Sequence, residues 1–169
     1  MASPVILIYG FEPFRRYRRN ITQLLVEALP TRPKWHRVVL PVRFEAELFL
    51  PLVEQLQPNY MLGLGQCPRG RLIRIERRAY NLMRQNKADA GVPIVPGEPE
   101  YLLPNWRIAP TGRMRHSYDA GRYVCNYSMY LLGGYAAAQG CRYAFLHVPR
   151  QFSVRAGVRE IVRLLEKLE

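Results

Sequence analysis

Short apolar runs that recur between stretches of helical periodicity constrain this chain more than any other feature. Val5 to Tyr9 is continuously apolar and stops at Gly10, and Tyr60 to Leu64 and Tyr143 to Leu146 have the same character. Runs this short, without polar alternation, suit strands buried on both faces of a sheet. Trp35 to Leu40 reads as a further strand. Between the strands, Asn20 stands as an N-cap, Gln23 follows three residues on, and Leu24, Leu25 and Ala28 continue one helical face. Glu45 to Leu56 predicts a helix bent at Pro51, and Asn126 to Gln139 predicts another. Val154 to Leu168 is amphipathic, with Val158, Ile161 and Leu165 on one face. Alternation of this kind predicts an α/β fold, a three-layer α/β/α sandwich around a mostly parallel, mixed central sheet.

Two segments break the alternation. Residues 72–77 alternate between apolar and charged side chains, which predicts a half-exposed strand in a hairpin flanking the main sheet. From Gly91 to Pro110 the chain carries Pro93, Pro96, Pro99, Pro104 and Pro110, which excludes a helix interior or central strand and predicts an irregular surface loop. At 169 residues and 49% hydrophobic, the expected organisation is one domain over residues 1–169. No run approaches the ~18 apolar residues that cross a bilayer, and the N-terminus lacks the pattern of an export signal, so the expectation is a cytoplasmic protein without membrane contact.

The net charge of +12 is carried almost wholly by arginine, since lysine stands only at 34, 87 and 167. Such a charge reads either as a solvated basic surface or as attraction to a polyanion or acidic partner. The cysteines at 67, 125 and 141 lack the close pairing of metal ligands. The expectation is neither a disulfide framework, nor a metal, nor an organic cofactor.

Three residues could carry chemistry. Cys125 falls where an extended segment passes into a helix; free amides and the helix dipole favour a thiolate there and can hold an oxyanion. Read alone, a cysteine among apolar neighbours is more often a packed core thiol. His147 follows Tyr143 to Leu146 at the carboxyl end of a buried strand, where sites of open α/β sheets collect, and it suits a general base as well as a buried structural histidine. Glu76, among Arg74, Arg77 and Arg78, reads locally as an ion-paired strand carboxylate. His36 and His116 are weaker candidates. A triad is defined by roles in space, which spacing does not reveal.

Four motifs, in order, bind these residues together: Gly10-Phe11-Glu12-Pro13-Phe14; Gly63-Leu64-Gly65-Gln66 with Ile75-Glu76-Arg77 and Asn81; Ala120-Gly121-Arg122-Tyr123-Val124-Cys125-Asn126-Tyr127; and Phe145-Leu146-His147-Val148-Pro149. Over nearly the whole chain they resemble the pyroglutamyl peptidases, also called pyrrolidone-carboxylate peptidases. The resemblance implies a cysteine peptidase that removes N-terminal pyroglutamate from peptides through a thioester. It assigns Cys125 as nucleophile, His147 as base and Glu76 as orienting carboxylate. It also implies that Phe11 and Phe14 clamp the lactam ring, that Gln66 supplies an amide hydrogen bond, and that Asn20 stands near the ring or caps a helix. A homodimer or homotetramer is implied as well. On this reading His147 depresses the Cys125 thiol, which should alkylate faster than Cys67 or Cys141 near neutral pH.

The chain departs from the family pattern in three places. Arg15 and Arg16 follow Phe14 where small residues are usual; they would narrow the pocket, select acidic residues after the scissile bond, or face solvent. Asn86 occupies the place of a family arginine, with Arg84 and Lys87 as substitutes. The stretch between Glu76 and Cys125 is shorter by about one helix, where the proline-rich loop could reshape the substrate entrance or an oligomer contact. Two rival readings keep the fold: the same triad acting on another small amide, or a non-catalytic module binding nucleic acid through Arg15–Arg19 and Arg69–Arg78. Nucleic acid is not the expected partner, because no recognised nucleic-acid motif accompanies the basic stretches.

Overall fold

Strands without a polar face must be covered on both sides, and the structure covers them. The computed structural model describes residues 3–169. Its main sheet has six strands: β1 (Ile6–Phe11), β2 (Trp35–Leu40), β3 (Tyr60–Cys67), β4 (Ile73–Glu76), β7 (Met114–Ser117) and β8 (Arg142–Pro149), in the order β2-β1-β3-β8-β4-β7. The first four in that order are mutually parallel. β4 runs antiparallel to β8, and β7 runs parallel to β4. A two-stranded ribbon, β5 (Ala79–Tyr80) with β6 (Tyr101–Leu102), lies apart.

Helices α1 (Ile21–Ala28) and α4 (Val154–Leu165) cover one face, where Ile21, Leu25 and Ile161 join Ile6, Ile8 and Leu62 in one apolar cluster. Helices α2 (Leu50–Leu56) and α3 (Val124–Gln139) cover the other, where Val53 and Met129 join Leu7, Tyr9 and Phe145. The expected three-layer α/β/α sandwich is the observed one. No described helix is long and apolar enough to cross a membrane.

Most expected elements stand within a few residues of their expected bounds, and the differences are informative. β1 continues through Gly10 to Phe11, and β3 continues to Cys67, because neighbouring strands supply partners beyond the apolar run. Residues 45–56 divide into a short 3-10 turn and α2, which places Pro51 in the first helical turn, where its missing N–H costs nothing. β4 does not form a hairpin beside the sheet: it lies inside it, between β8 and β7, and is largely buried. β7 was not expected as a strand; its Arg115 and His116 are exposed at the sheet's edge.

The proline-rich segment is mostly irregular, as expected, yet it is not merely a surface loop. Trp106 and Ile108 are buried against the α1–α4 face. Trp106 N–H donates to the Tyr143 carbonyl, while the Asn105 side chain donates to the Cys141 carbonyl and accepts from Tyr143 N–H. The segment borrows backbone groups at the start of β8. That end of the strand lies away from His147.

Gly63 shows how tightly the α3 face is filled. A Cβ there would fall within 3 Å of the Tyr9 hydroxyl and the Phe145 ring, both fully buried. Overpacking a filled core costs about 1–3 kcal/mol. The Gly63→Ala variant should lose about that much stability, read as a lower denaturant midpoint with an unchanged slope.

Candidate active site

β8 and β4 bring together two groups far apart in sequence. Arg74 and His147 are paired across the antiparallel ladder, so Glu76, two residues further along β4, shares their face of the sheet. His147 Nδ1 lies 2.8 Å from Glu76 Oε1. Both residues are buried, His147 at 4% and Glu76 at 1% exposure, so the carboxylate and imidazole meet in a low-dielectric setting. The carboxylate can only accept, which assigns the proton to Nδ1 and leaves the Nε2 lone pair free as a base. The Phe145 ring stands edge-on to the imidazole, 5.2 Å between centroids, and limits its swing.

The nucleophile candidate arrives from above. α3 begins at Val124, so Cys125 lies within its first turn rather than ahead of it. Tyr127 N–H already bonds the Tyr123 carbonyl, and no side chain caps this end. The amides of the first turn remain available to an oxyanion. The thiol rests over Gly65 of β3: a Cβ at Gly65 would stand within 3 Å of Cys125 Sγ, of the Phe145 ring and of His147 Cδ2. Glycine is therefore what lets sulfur and imidazole become neighbours. Cys125, His147 and Glu76 are brought together as one group.

Part of Cys125 reaches solvent, yet its surroundings disfavour the thiolate. Burial pushes the thiol up to about 12, Glu76 and Cys67 push the same way, and Arg74 opposes them. This direction is opposite to the depressed thiol expected beside His147, and desolvation is its largest cause. Arg74 Nε stands 3.5 Å from the Glu76 oxygen that meets His147. The other Glu76 oxygen has no protein hydrogen-bond partner among the described residues.

The remaining candidates divide. Phe11 is 1% exposed, edge-on to Tyr9 and Phe49, and belongs to the same apolar cluster as Phe44, Tyr123 and Cys125. Phe14, on the loop after β1, lies against Tyr17 and Tyr123. Gln66 accepts from Ile21 N–H through its oxygen and lines a cleft with Phe14. Asn20 is different: it is 2% exposed, its oxygen accepts from Thr22 N–H and Oγ1, and its amide donates to the Glu12 carbonyl. Those bonds fix the loop that carries Phe14 and leave Asn20 to capping. Asn86 sits in an exposed turn, its N–H bonded to Asp89.

Sequence reasoning passed over the residues that hold these loops. Asn126, fully buried, bonds Tyr80 N–H and the Tyr80 and Leu82 carbonyls. Asn81 bonds Val95 N–H and the Val95 and Glu98 carbonyls. Both stand in the matched motifs, which was the available signal. A buried trio of hydroxyls, Tyr9 with Ser128 and Tyr143, underlies the nucleophile, and Ser128 donates to the Cys125 carbonyl. Among the described residues no cluster of histidine, cysteine and carboxylate side chains could hold a metal ion.

Comparison with known proteins gives a consistent result. No protein-family model matches the chain. The pyrrolidone-carboxylate peptidase of Pyrococcus furiosus is 30% identical, with 85% of this chain and 80% of the relative covered. That of Halalkalibacterium halodurans is 33% identical over 86% of this chain and 83% of the relative. The solved pyrrolidone carboxyl peptidase of Thermococcus litoralis superposes with a TM-score of 0.85 at 22% identity, over 98% of this chain and 92% of that one.

A thiol held near 12 gives the site a defined pH signature. Thiolate, and hence alkylation rate, rises tenfold per pH unit below the thiol's own titration. Iodoacetamide labelling of Cys125, followed by peptide mass, should climb without a plateau from pH 7 to 10. A plateau near neutrality would instead mean a preformed thiolate–imidazolium pair.

Proposed function

The chain belongs to the pyrrolidone-carboxylate peptidase family, and on that premise we propose that it releases pyroglutamate from the N-terminus of peptides through Cys125, His147 and Glu76. The observation that carries the reading is the 2.8 Å contact between His147 Nδ1 and Glu76 Oε1, beside a thiol held over Gly65.

On this reading His147 Nε2 removes the thiol proton as Cys125 Sγ attacks the carbonyl carbon that follows the lactam ring. Because burial disfavours a free thiolate, proton transfer and attack are coupled on this reading. The developing oxyanion is held by first-turn amides of α3, where the helix dipole adds to hydrogen bonding. Glu76 stabilises the imidazolium, which then protonates the leaving amine. Water, deprotonated by the same nitrogen, hydrolyses the thioester and frees pyroglutamate and the enzyme.

The apolar setting accounts for the choice of ring. Phe11, Phe44 and Tyr123 share a cluster with Cys125, and Phe14 faces Tyr123. A neutral lactam enters such surroundings without stripping water from a charge, whereas an open glutamate carries a carboxylate and an ammonium whose desolvation is costly. Gln66 follows Gly65 on β3 and so points to the α1 face, where its oxygen is held by Ile21 N–H; it contributes to the wall that it forms with Phe14. Asn20 contributes by setting the loop.

The test is hydrolysis of a pyroglutamyl fluorogenic amide beside a prolyl amide. The purified protein should release fluorophore from the first and not the second, and Cys125→Ala should abolish release. Glu76→Gln should fold normally and lower kcat by about 10²–10⁴-fold, the range seen when an orienting carboxylate is neutralised. Equal release by the Cys125→Ala protein would overturn the assignment.

A further inference from the structure

The rim beside the candidate site is built of arginine with no carboxylate to answer it. Phe14, Arg15, Arg16, Tyr17, Gln66 and Pro68 line a cavity of about 460 Å³. Tyr17 and Gln66 also border a second cavity of about 480 Å³, which Arg18, Arg19 and Arg150 line. Among the described residues, none of these five arginines takes part in an ion pair. The carboxylates of the neighbouring loops are otherwise placed: Glu12 is exposed, Asp89 receives Asn86 N–H, and Asp119 is paired with Arg122.

Three of these guanidinium groups, those of Arg15, Arg16 and Arg150, are stacked on rings. Arg15 adopts a left-handed backbone, φ 55°, a conformation that residues other than glycine avoid unless their surroundings impose it. Its guanidinium lies over the Tyr123 ring at 4.7 Å and donates to the Gln85 carbonyl at 3.1 Å. Arg16 and Arg150 both lie over Tyr17, at 5.7 and 5.4 Å. A guanidinium stacked on a ring has already lost much of its side-chain freedom and still presents edge N–H groups in the fork that suits a carboxylate. Tyr123 is the N-cap of α3, two residues before Cys125. The Arg15 stack thus sets positive charge next to the helix that carries the nucleophile, on the side where the cavity opens.

We propose that this rim selects pyroglutamyl peptides with an acidic residue after the scissile bond, through Arg15 and Arg16; the proposal rests on the peptidase reading above. The ring pocket tells a neutral lactam from a charged glutamate, and the rim then reads the charge of the leaving chain. A peptide is favoured over a polynucleotide because the fixed arginine, Arg15, is anchored on Tyr123, the N-cap of the nucleophile's own helix.

The experiment compares kcat/KM for three pyroglutamyl dipeptide amides whose second residue is Asp, Ala or Lys, in the parent protein and in an Arg15→Gln, Arg16→Gln double variant. The expected order is Asp above Ala above Lys, with about a two- to fivefold step at each change of charge, the size of a pair at a partly solvated site. The Asp-to-Lys ratio should shrink as salt shortens the screening length, and should approach one in the double variant. Because the readout is a ratio, a variant that is only partly folded still reports it. Equal rates for the three peptides in the parent protein overturn the proposal and leave the peptidase reading standing. Cleavage of none sinks both. A single-stranded oligonucleotide that blocks all three peptides equally, less so in the double variant, would overturn it in favour of a polyanion site.

Discussion

A carboxylate buried at 1% exposure must find a partner inside the protein, and the candidate site is organised around that need. Glu76 is carried into the sheet by a strand that reverses the direction of its neighbour, and the reversal sets Arg74 opposite His147. From there the carboxylate reaches the imidazole, which fixes the ring's orientation and aims its free nitrogen. Gly65, paired with His147 on the other side of β8, removes the one Cβ that would separate imidazole from thiol. Each further feature of the site presupposes this pair of buried residues.

Asparagine does for the irregular segments what ladders do for the strands. Its side chain carries a donor and an acceptor side by side, like a peptide group, so one residue can satisfy backbone on both sides of a gap. Asn81 and Asn126 tie residues 80–98 to one another and to α3. Asn105 closes the proline-rich segment against β8, and Asn20 closes the loop after β1. Prolines without N–H groups are tolerated beside these points because the necessary donors come from side chains.

The layers were legible because burial on two faces leaves an unmistakable mark: Ile6 to Tyr9, Met61 to Leu64 and Tyr143 to Leu146 have no polar face to show. β7 was not, for a physical reason: Met114-Arg115-His116-Ser117 is an edge strand whose exposed side chains read like a loop. β4 showed itself as a strand by its alternation, but its burial between β8 and β7 is decided by pairing, which local sequence does not display. The candidate triad was recognisable from matched motifs, yet nothing in the residues themselves joined Glu76 to His147, since their meeting depends on strand direction. The upward push of burial on the thiol was not legible for a related reason. A helix terminus is visible in local sequence, whereas desolvation is the work of Gly65, Phe145 and the sheet beneath, which only folding assembles.

The reversed strand also bears on the order in which this protein can be built. Pairing β8 with β3 closes a long stretch of chain, and such closures are slow relative to local helix formation. β4 meets β8 across the segment that carries the proline-rich loop, and β7 joins it at the outer edge. A form that holds the parallel strands and the helical layers but leaves β4 undocked has no carboxylate beside His147. Such a form would look native by helix content while its imidazole had lost the partner that orients it.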